Sequence, residues 1–356
     1  MTSTTKTAPP APPRRVRIYL AIGAALLSGS KALLTTLVNA KPRDFDQLWY
    51  AAHALLRGRN PYLEIGPHLA FDWTPLYYPL TGVVAVLPFA LFSKVVADVL
   101  FAALGAGAFV YAATAWSLAP AVVITSASAA MAAETVQWSP LLAASYGLPW
   151  VAIILAAKPT IGFAFFLARP SRIAVGGALG LLIVSFVMLP TWPADWLIAL
   201  RGTSLMSRGG TPYLAPIATP GGVFSALAIL RWRRPEARLL LALACVPQTT
   251  LLYETVPLFL IPASLVEGGV LWLGSWLVAL CVFLREPFTA ASPREITSAI
   301  AIGWLLYLPA TVIVLRRPNV GPLSDRMERL LFKARLPLWV RGSPASRPTT
   351  LPSNAS

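Results

Sequence analysis

The stretch Ile18-Tyr-Leu-Ala-Ile-Gly-Ala-Ala-Leu-Leu-Ser-Gly-Ser-Lys-Ala-Leu-Leu-Thr-Thr-Leu-Val38 decides what kind of molecule this is. It is long enough to cross a hydrocarbon core, which takes about 20 apolar residues. Before it stands a Pro-rich, basic arm, residues 1–17, with the run Ala8-Pro-Pro-Ala-Pro-Pro13 and then Arg14-Arg-Val-Arg17. A basic arm before an apolar run admits two readings. One is a signal peptide cleaved near Val38-Asn39-Ala40; the other is a retained first span. The run is long for a signal core, and more apolar segments follow it. We therefore read a retained span, a disordered cytoplasmic arm, and a following loop outside.

Composition agrees with this start. Of the 356 residues, 56% are hydrophobic and only 12% charged, about half the charged share of a soluble domain. Mean hydropathy is +0.66. Apolar segments recur from about residue 76 to residue 315, several of them shorter than a bilayer needs. Such segments suit broken, tilted or re-entrant helices lining a protein cavity. The fold expected is all-α and polytopic, with about ten to twelve membrane segments. Residues 18–317 form one membrane-embedded domain, and residues 318–356 a basic cytoplasmic tail. Within that tail, Asp325 to Arg335 suits a helix lying on the membrane surface.

The net charge of +15 raises nucleic acid as a partner, but the basic residues sit in short loops beside apolar segments. That is the bias of cytoplasmic loops, and nucleic-acid binding is set aside. On this reading Lys94, Arg169 with Arg172, Arg231 to Arg238, and Arg316 with Arg317 are cytoplasmic. Residues 40–75, 190–212 and 285–295 then face outside. The number of spans is even, both termini are inside, and the chain is a multi-pass protein of the cell membrane. Cys245 and Cys281 each lie in an apolar stretch, read as small core residues without a disulfide. With only His53 and His68, no multi-histidine metal site is expected.

The loop at about 40–75 is the longest between spans. In Arg43-Asp-Phe-Asp-Gln-Leu-Trp-Tyr-Ala-Ala-His-Ala-Leu-Leu-Arg-Gly-Arg-Asn-Pro-Tyr62 the apolar residues Phe45, Leu48, Trp49, Ala52, Leu55 and Leu56 fall at helical spacing. Gly58 and Asn60-Pro61 end the helix. We expect it to lie in the membrane interface, with Asp44 and Asp46 at its N-terminus. Asp44 admits two compatible readings. It is an N-cap, with Gln47 completing a capping box, or a general base facing an outward cavity. The helix N-terminus lowers a carboxyl's pKa, which keeps such a base ionised. Trp73-Thr-Pro-Leu-Tyr-Tyr-Pro-Leu80 suits an interfacial aromatic belt or a stacking platform for a sugar.

Ionisable and amide groups within apolar segments mark function more often than not. Here these include Gln137, Lys158, Gln248 and Glu254, all near the outer side, while Lys31 and Asp98 suit structural pairing. Lys158 either snorkels to the interface or holds a lipid-linked phosphate. A transporter or flippase would instead place polar groups at mid-membrane, commonly in repeat-related halves.

These residues also carry a resemblance. Asp44-Phe-Asp-Gln-Leu-Trp-Tyr-Ala-Ala52, followed by Leu55-Leu-Arg-Gly-Arg-Asn-Pro-Tyr62, resembles the first outer loop of glycosyltransferase family 87. Members are polyprenol-phosphate-mannose-dependent α-mannosyltransferases of the GT-C fold. Trp73-Thr-Pro-Leu-Tyr-Tyr-Pro-Leu80 resembles the family's aromatic-Pro-Pro-Leu stretch, with Thr74 in place of the first proline. Ala157-Lys-Pro-Thr160 resembles its Lys-Pro-Gln element. Pro247-Gln248 and Tyr253-Glu254 resemble its Pro-Gln and Tyr-Asp elements, with Glu254 for the usual Asp. Val136-Gln137 stands where the family has Gly-Gln, and the stretch from Gln137 to Lys158 is shorter than usual.

The resemblance implies a membrane hexosyltransferase of the cell envelope. It would move mannose or another sugar from a polyprenyl-phosphate donor to a glycolipid or glycan acceptor, with inversion and without cofactor or metal. Asp44 is then the catalytic base, with Asp46 second. Lys158, Arg57 or Arg59 hold the donor phosphate. Gln137, Gln248, Tyr253, Glu254, Trp73 and Tyr77 bind substrate. The alternatives are a lipid or solute transporter and an inactive membrane scaffold.

Overall fold

A computed structural model describes residues 11–38, 42–206, 214–285 and 294–321. Among these the chain is mostly helical, with no β-strand and only two isolated bridges, Ile65 with Phe71 and Leu214 with Gln248. The helix expected in the tail at 325–335 lies outside the described residues.

The first apolar run forms one helix, Arg14–Val38. It begins inside the arm that the sequence suggested was disordered through residue 17. The reason is a tertiary contact: Arg17 donates to the Tyr111 carbonyl at 2.8 Å and lies 4.3 Å from the Tyr111 ring centre, so it is anchored. This helix packs antiparallel along Lys94–Ala113, Arg17 meeting Tyr111 at one end and Thr36 meeting Asp98 at the other. Small residues let the backbones approach, Gly29 against Ala103 and Gly107 against Ala21 and Ala25.

Four helices are long and apolar enough to cross a membrane: Arg14–Val38, Lys94–Ala113, Leu265–Leu284 and Ser298–Leu315. Arg172–Met188 and Trp192–Arg201 form a fifth candidate bent by 94°. Outward-facing Leu26, Leu37, Val187 and Phe283 give these helices the apolar surface that lipid covers. Of the about ten to twelve membrane segments expected, several of them too short to span, four or five are long enough to cross among the described residues. The remaining apolar sequence is cut at prolines into short helices and 3₁₀ stretches such as Pro149–Ala157 and Leu252–Leu260. Proline removes a backbone donor and closes off the preceding turn. These short pieces still run between two ends of the molecule. Gln137 and Lys158 reach the end where Asp44 stands, and Tyr146 and Arg169 reach the opposite one.

Lys94 corrects the charge-based topology. It was assigned to the cytoplasmic side, yet its Nζ lies 3.0 Å from Asp46 Oδ1 of the loop helix. The apolar segment before it, Leu80–Leu91, spans only about 18 Å at 1.5 Å per residue. Its far end stays beside the loop helix, where Trp49 Nε1 donates to the Phe92 carbonyl at 3.3 Å, so Lys94 lies on the loop's own side. The arginine loops do gather at the other end. Arg238 holds the Leu167 and Ala168 carbonyls, and Arg231 those of Leu315 and Arg317. Cys245 and Cys281, expected in the core, are unpaired and exposed.

Candidate functional site

The loop helix runs Asp44–Leu56 and stops as its sequence requires, Gly58 taking φ +70 just beyond it. Asn60 then accepts from the Tyr62 amide at 3.0 Å and opens a short turn, Pro61–Glu64. The helix is less of a surface element than its amphipathic pattern suggested. Phe45, Leu48, Ala51 and Ala52 are buried, and so is Gln47, which donates to Thr74 Oγ1 at 2.5 Å.

The two N-terminal carboxylates have separate jobs. Arg43 is the N-cap, and its amide donates to Asp46 Oδ2 at 3.0 Å. Asp46 therefore closes the first turn, the role the sequence gave to Asp44 and Gln47. Asp46 is buried against Lys94 and is not among the residues lining the cavity that Asp44 faces. Asp44, at the first helical position, instead faces inward.

It faces a cavity of about 440 Å³. Asp44 and Gln47 form one wall. Trp73, Thr74, Tyr77 and Tyr78 of the loop form a second, and Lys158 to Thr160 a third. Pro247 to Thr249, Leu251, Tyr253 and Glu254 close it, with Trp196 at the rim. Gln137 stands behind Asp44 and donates to its Oδ2, as does Tyr253 OH at 3.3 Å. Lys158 Nζ is 2.9 Å from Glu254 Oε1. Of the residues singled out from sequence, Asp44, Lys158, Gln248, Tyr253, Glu254, Trp73 and Tyr77 line this one cavity, and Gln137 bonds to its wall.

Arg57 and Arg59 do not join them. Both are exposed beyond the far end of the 13-residue helix, about 20 Å from Asp44 at 1.5 Å per residue. Arg59 is paired with Glu64 at 3.0 Å. Gln47, expected only in a capping box, also lines the cavity, as do Thr249 and Trp196, which the sequence did not single out. Gln47 stands one turn after Asp44, and Thr249 follows Gln248 directly, so both were open to inference. Trp196 sits in the expected outer segment 190–212. It reaches the cavity because Asn60 donates to Asp195 at 2.8 Å and Trp196 Nε1 to the Tyr77 carbonyl at 2.9 Å.

The electrostatics of Asp44 differ from expectation. Burial pushes its carboxyl above the ordinary carboxylate range. Lys158, Gln137 and Tyr253 pull the other way without overcoming that loss of hydration. A helix N-terminus favours the ionised form by only about 0.3–2 kcal/mol; here desolvation is the larger effect. The backbone before Gln137 is also unusual. Val136 takes φ +53, a left-handed conformation that β-branched residues rarely adopt. It delivers the amide of Gln137 to Asp44.

No family model, curated protein or solved structure matches this chain.

Proposed function

We propose that this protein is a membrane glycosyltransferase. It takes a sugar, mannose on the reading the resemblance implies, from a polyprenyl-phosphate donor at the outer face. The acceptor is the hydroxyl of a glycolipid or glycan. The observation that carries this reading is the gathering around one cavity of segments far apart in sequence. Asp44, Lys158 and Tyr253-Glu254 meet there under a wall of Trp73, Tyr77 and Tyr78. A half-buried carboxylate, a lysine and an aromatic wall are the groups such a transfer uses. Asp44 takes the acceptor proton as the oxygen attacks the anomeric carbon. Lys158 meets the phosphate on which negative charge develops. The rings offer apolar faces to the sugar. One base suffices for an inverting displacement, so Asp46 is free to serve structure.

The test is transfer by the purified protein from a panel of polyprenyl-phosphate sugars. Asp44→Asn should lower turnover by about 10²- to 10⁴-fold, the usual scale for losing a general base, with unchanged expression and thermal stability. Normal turnover by that variant removes Asp44 as the base, and no transfer from any donor by the wild type overturns the assignment.

A further inference from the structure

The polar groups of the cavity wall form a connected line. Tyr253 OH donates to Asp44 Oδ2 at 3.3 Å and lies 2.9 Å from Thr249 Oγ1. Thr249 Oγ1 lies 3.3 Å from Glu254 Oε1, the same oxygen that meets Lys158 Nζ at 2.9 Å. Tyr253 and Glu254 are 2% and 4% exposed, and Thr249 between them borders the cavity. Lys158 also lies 5.3 Å from the Tyr253 ring centre, closing the group on itself.

Resting on the transferase reading above, we propose that Tyr253 and Thr249 relay the acceptor's proton from Asp44 to Glu254. Its arrival there releases Lys158 to the leaving phosphate. The acceptor O–H bond breaks and its proton joins the Asp44 carboxylate as the oxygen bonds the anomeric carbon. The bond from that carbon to the phosphate oxygen breaks, and its electron pair stays on the phosphate. The neutral Asp44 carboxyl turns about Cβ–Cγ and donates to Tyr253. Tyr253 turns its own O–H to Thr249, and Thr249 donates to Glu254. Each hydroxyl gains one proton and loses one, so only the two carboxyl groups change state. Glu254 becomes neutral as the phosphate gains its second negative charge, and Lys158 changes partner without a cation or anion being left unpaired. The departing phosphate monoester, whose second ionisation falls near pH 6, then takes the proton from Glu254.

Thr249→Val removes the central hydroxyl at nearly constant shape, and Thr249→Ser restores it. Transfer from polyprenyl-phosphate mannose to an alkyl mannoside is followed in both, with donor KM, kcat and the solvent deuterium effect on kcat. Thr249→Val should lower kcat by at least about tenfold, a part of the 10²–10⁴ that acid–base catalysis supplies. Donor KM should stay within about twofold, and the solvent deuterium effect should change. Thr249→Ser should recover most of the loss. An unchanged kcat in Thr249→Val, or an equal loss in both variants, overturns the relay.

Infrared spectra across an acid titration read the line without turnover. The carboxyl band lost in Asp44→Asn should shift in Thr249→Val and return toward its wild-type position in Thr249→Ser. A Thr249→Val band identical to wild type overturns the relay by itself. A wild type that transfers nothing overturns the transferase reading, and the relay as a step of it. The band shift then says only whether the hydrogen-bonded line exists.

Discussion

Replacing Asp98 with Asn should destabilise the protein markedly, and the cluster around it gives the size. Asp98 is fully buried in Lys94–Ala113 and meets Arg43 Nη2 at 3.0 Å and Lys94 Nζ at 3.2 Å. Lys94 also pairs with Asp46 at 3.0 Å, and Thr36 approaches Asp98 at 3.4 Å. Two cations and two carboxylates thus balance in a site that is nearly dry, and Asp98→Asn leaves one positive charge over. Breaking a buried pair from one side costs about 3–5 kcal/mol. Lys94 is 27% exposed and keeps Asp46, so the lower end, about 3 kcal/mol, applies. At about 2 °C per kcal/mol for a chain of this size, that is a fall of about 6 °C in Tm. Thermal unfolding of the purified protein in one detergent measures it. The double variant Arg43→Met with Asp98→Asn restores neutrality and should lose less than the sum of the two single losses, by about 1–3 kcal/mol. A wild-type Tm in Asp98→Asn, or strict additivity in the double variant, refutes the reasoning.

Three further outcomes follow from the site. Because burial raises the Asp44 carboxyl and a base works only when ionised, turnover should fall on acidification at a pH above the ordinary carboxylate value of about 4. Gln137→Leu removes a donor to the ionised form and should move that limb higher still; a kcat–pH profile checks both. Arg57→Ala and Arg59→Ala should leave donor KM within about twofold, since neither side chain lies on the cavity; a tenfold rise in either would return it to the phosphate site. In a background with Cys245 and Cys281 replaced by Ala, Leu63→Cys, whose parent side chain is 70% exposed, should react with an impermeant thiol reagent only from outside. Labelling only from the cytoplasm would put the whole cavity on the wrong face.

Some of the site could be read from the chain because the signals were local. The Asp44–Leu56 helix follows from its apolar spacing, and Gly58 ends it for the reason that only glycine takes φ +70 cheaply. The different facing of Asp44 and Asp46 is legible in helix geometry too. Residues two apart lie about 200° around the axis, so the two carboxylates point to different sides of the helix. Gln47, one turn after Asp44, marks the inward stripe. The same arithmetic along the axis separates Arg57 from Asp44. The strain at Val136 was half visible: a β-branched residue stands where the resembled family has glycine, but only the fold shows that the position keeps its left-handed backbone.

Lys94 shows what local reading could not supply. Counting basic residues by loop assumes that each cation is free to be held back on the cytoplasmic side. A lysine neutralised by two carboxylates carries no such signal, and Asp46 and Asp98 stand 48 and 4 positions away from it in the chain. The near partner alone, one helical turn on, would have passed for an ordinary surface pair. The far one decides, because it ties the loop helix to the start of the next long helix. With Arg43 and Asp46 held there, Asp44 between them has its backbone fixed from both sides. The ion cluster that misled the topology is therefore what points Asp44 at the cavity. A variant that loosens it should blunt turnover even where Asp44, Lys158 and Glu254 are untouched.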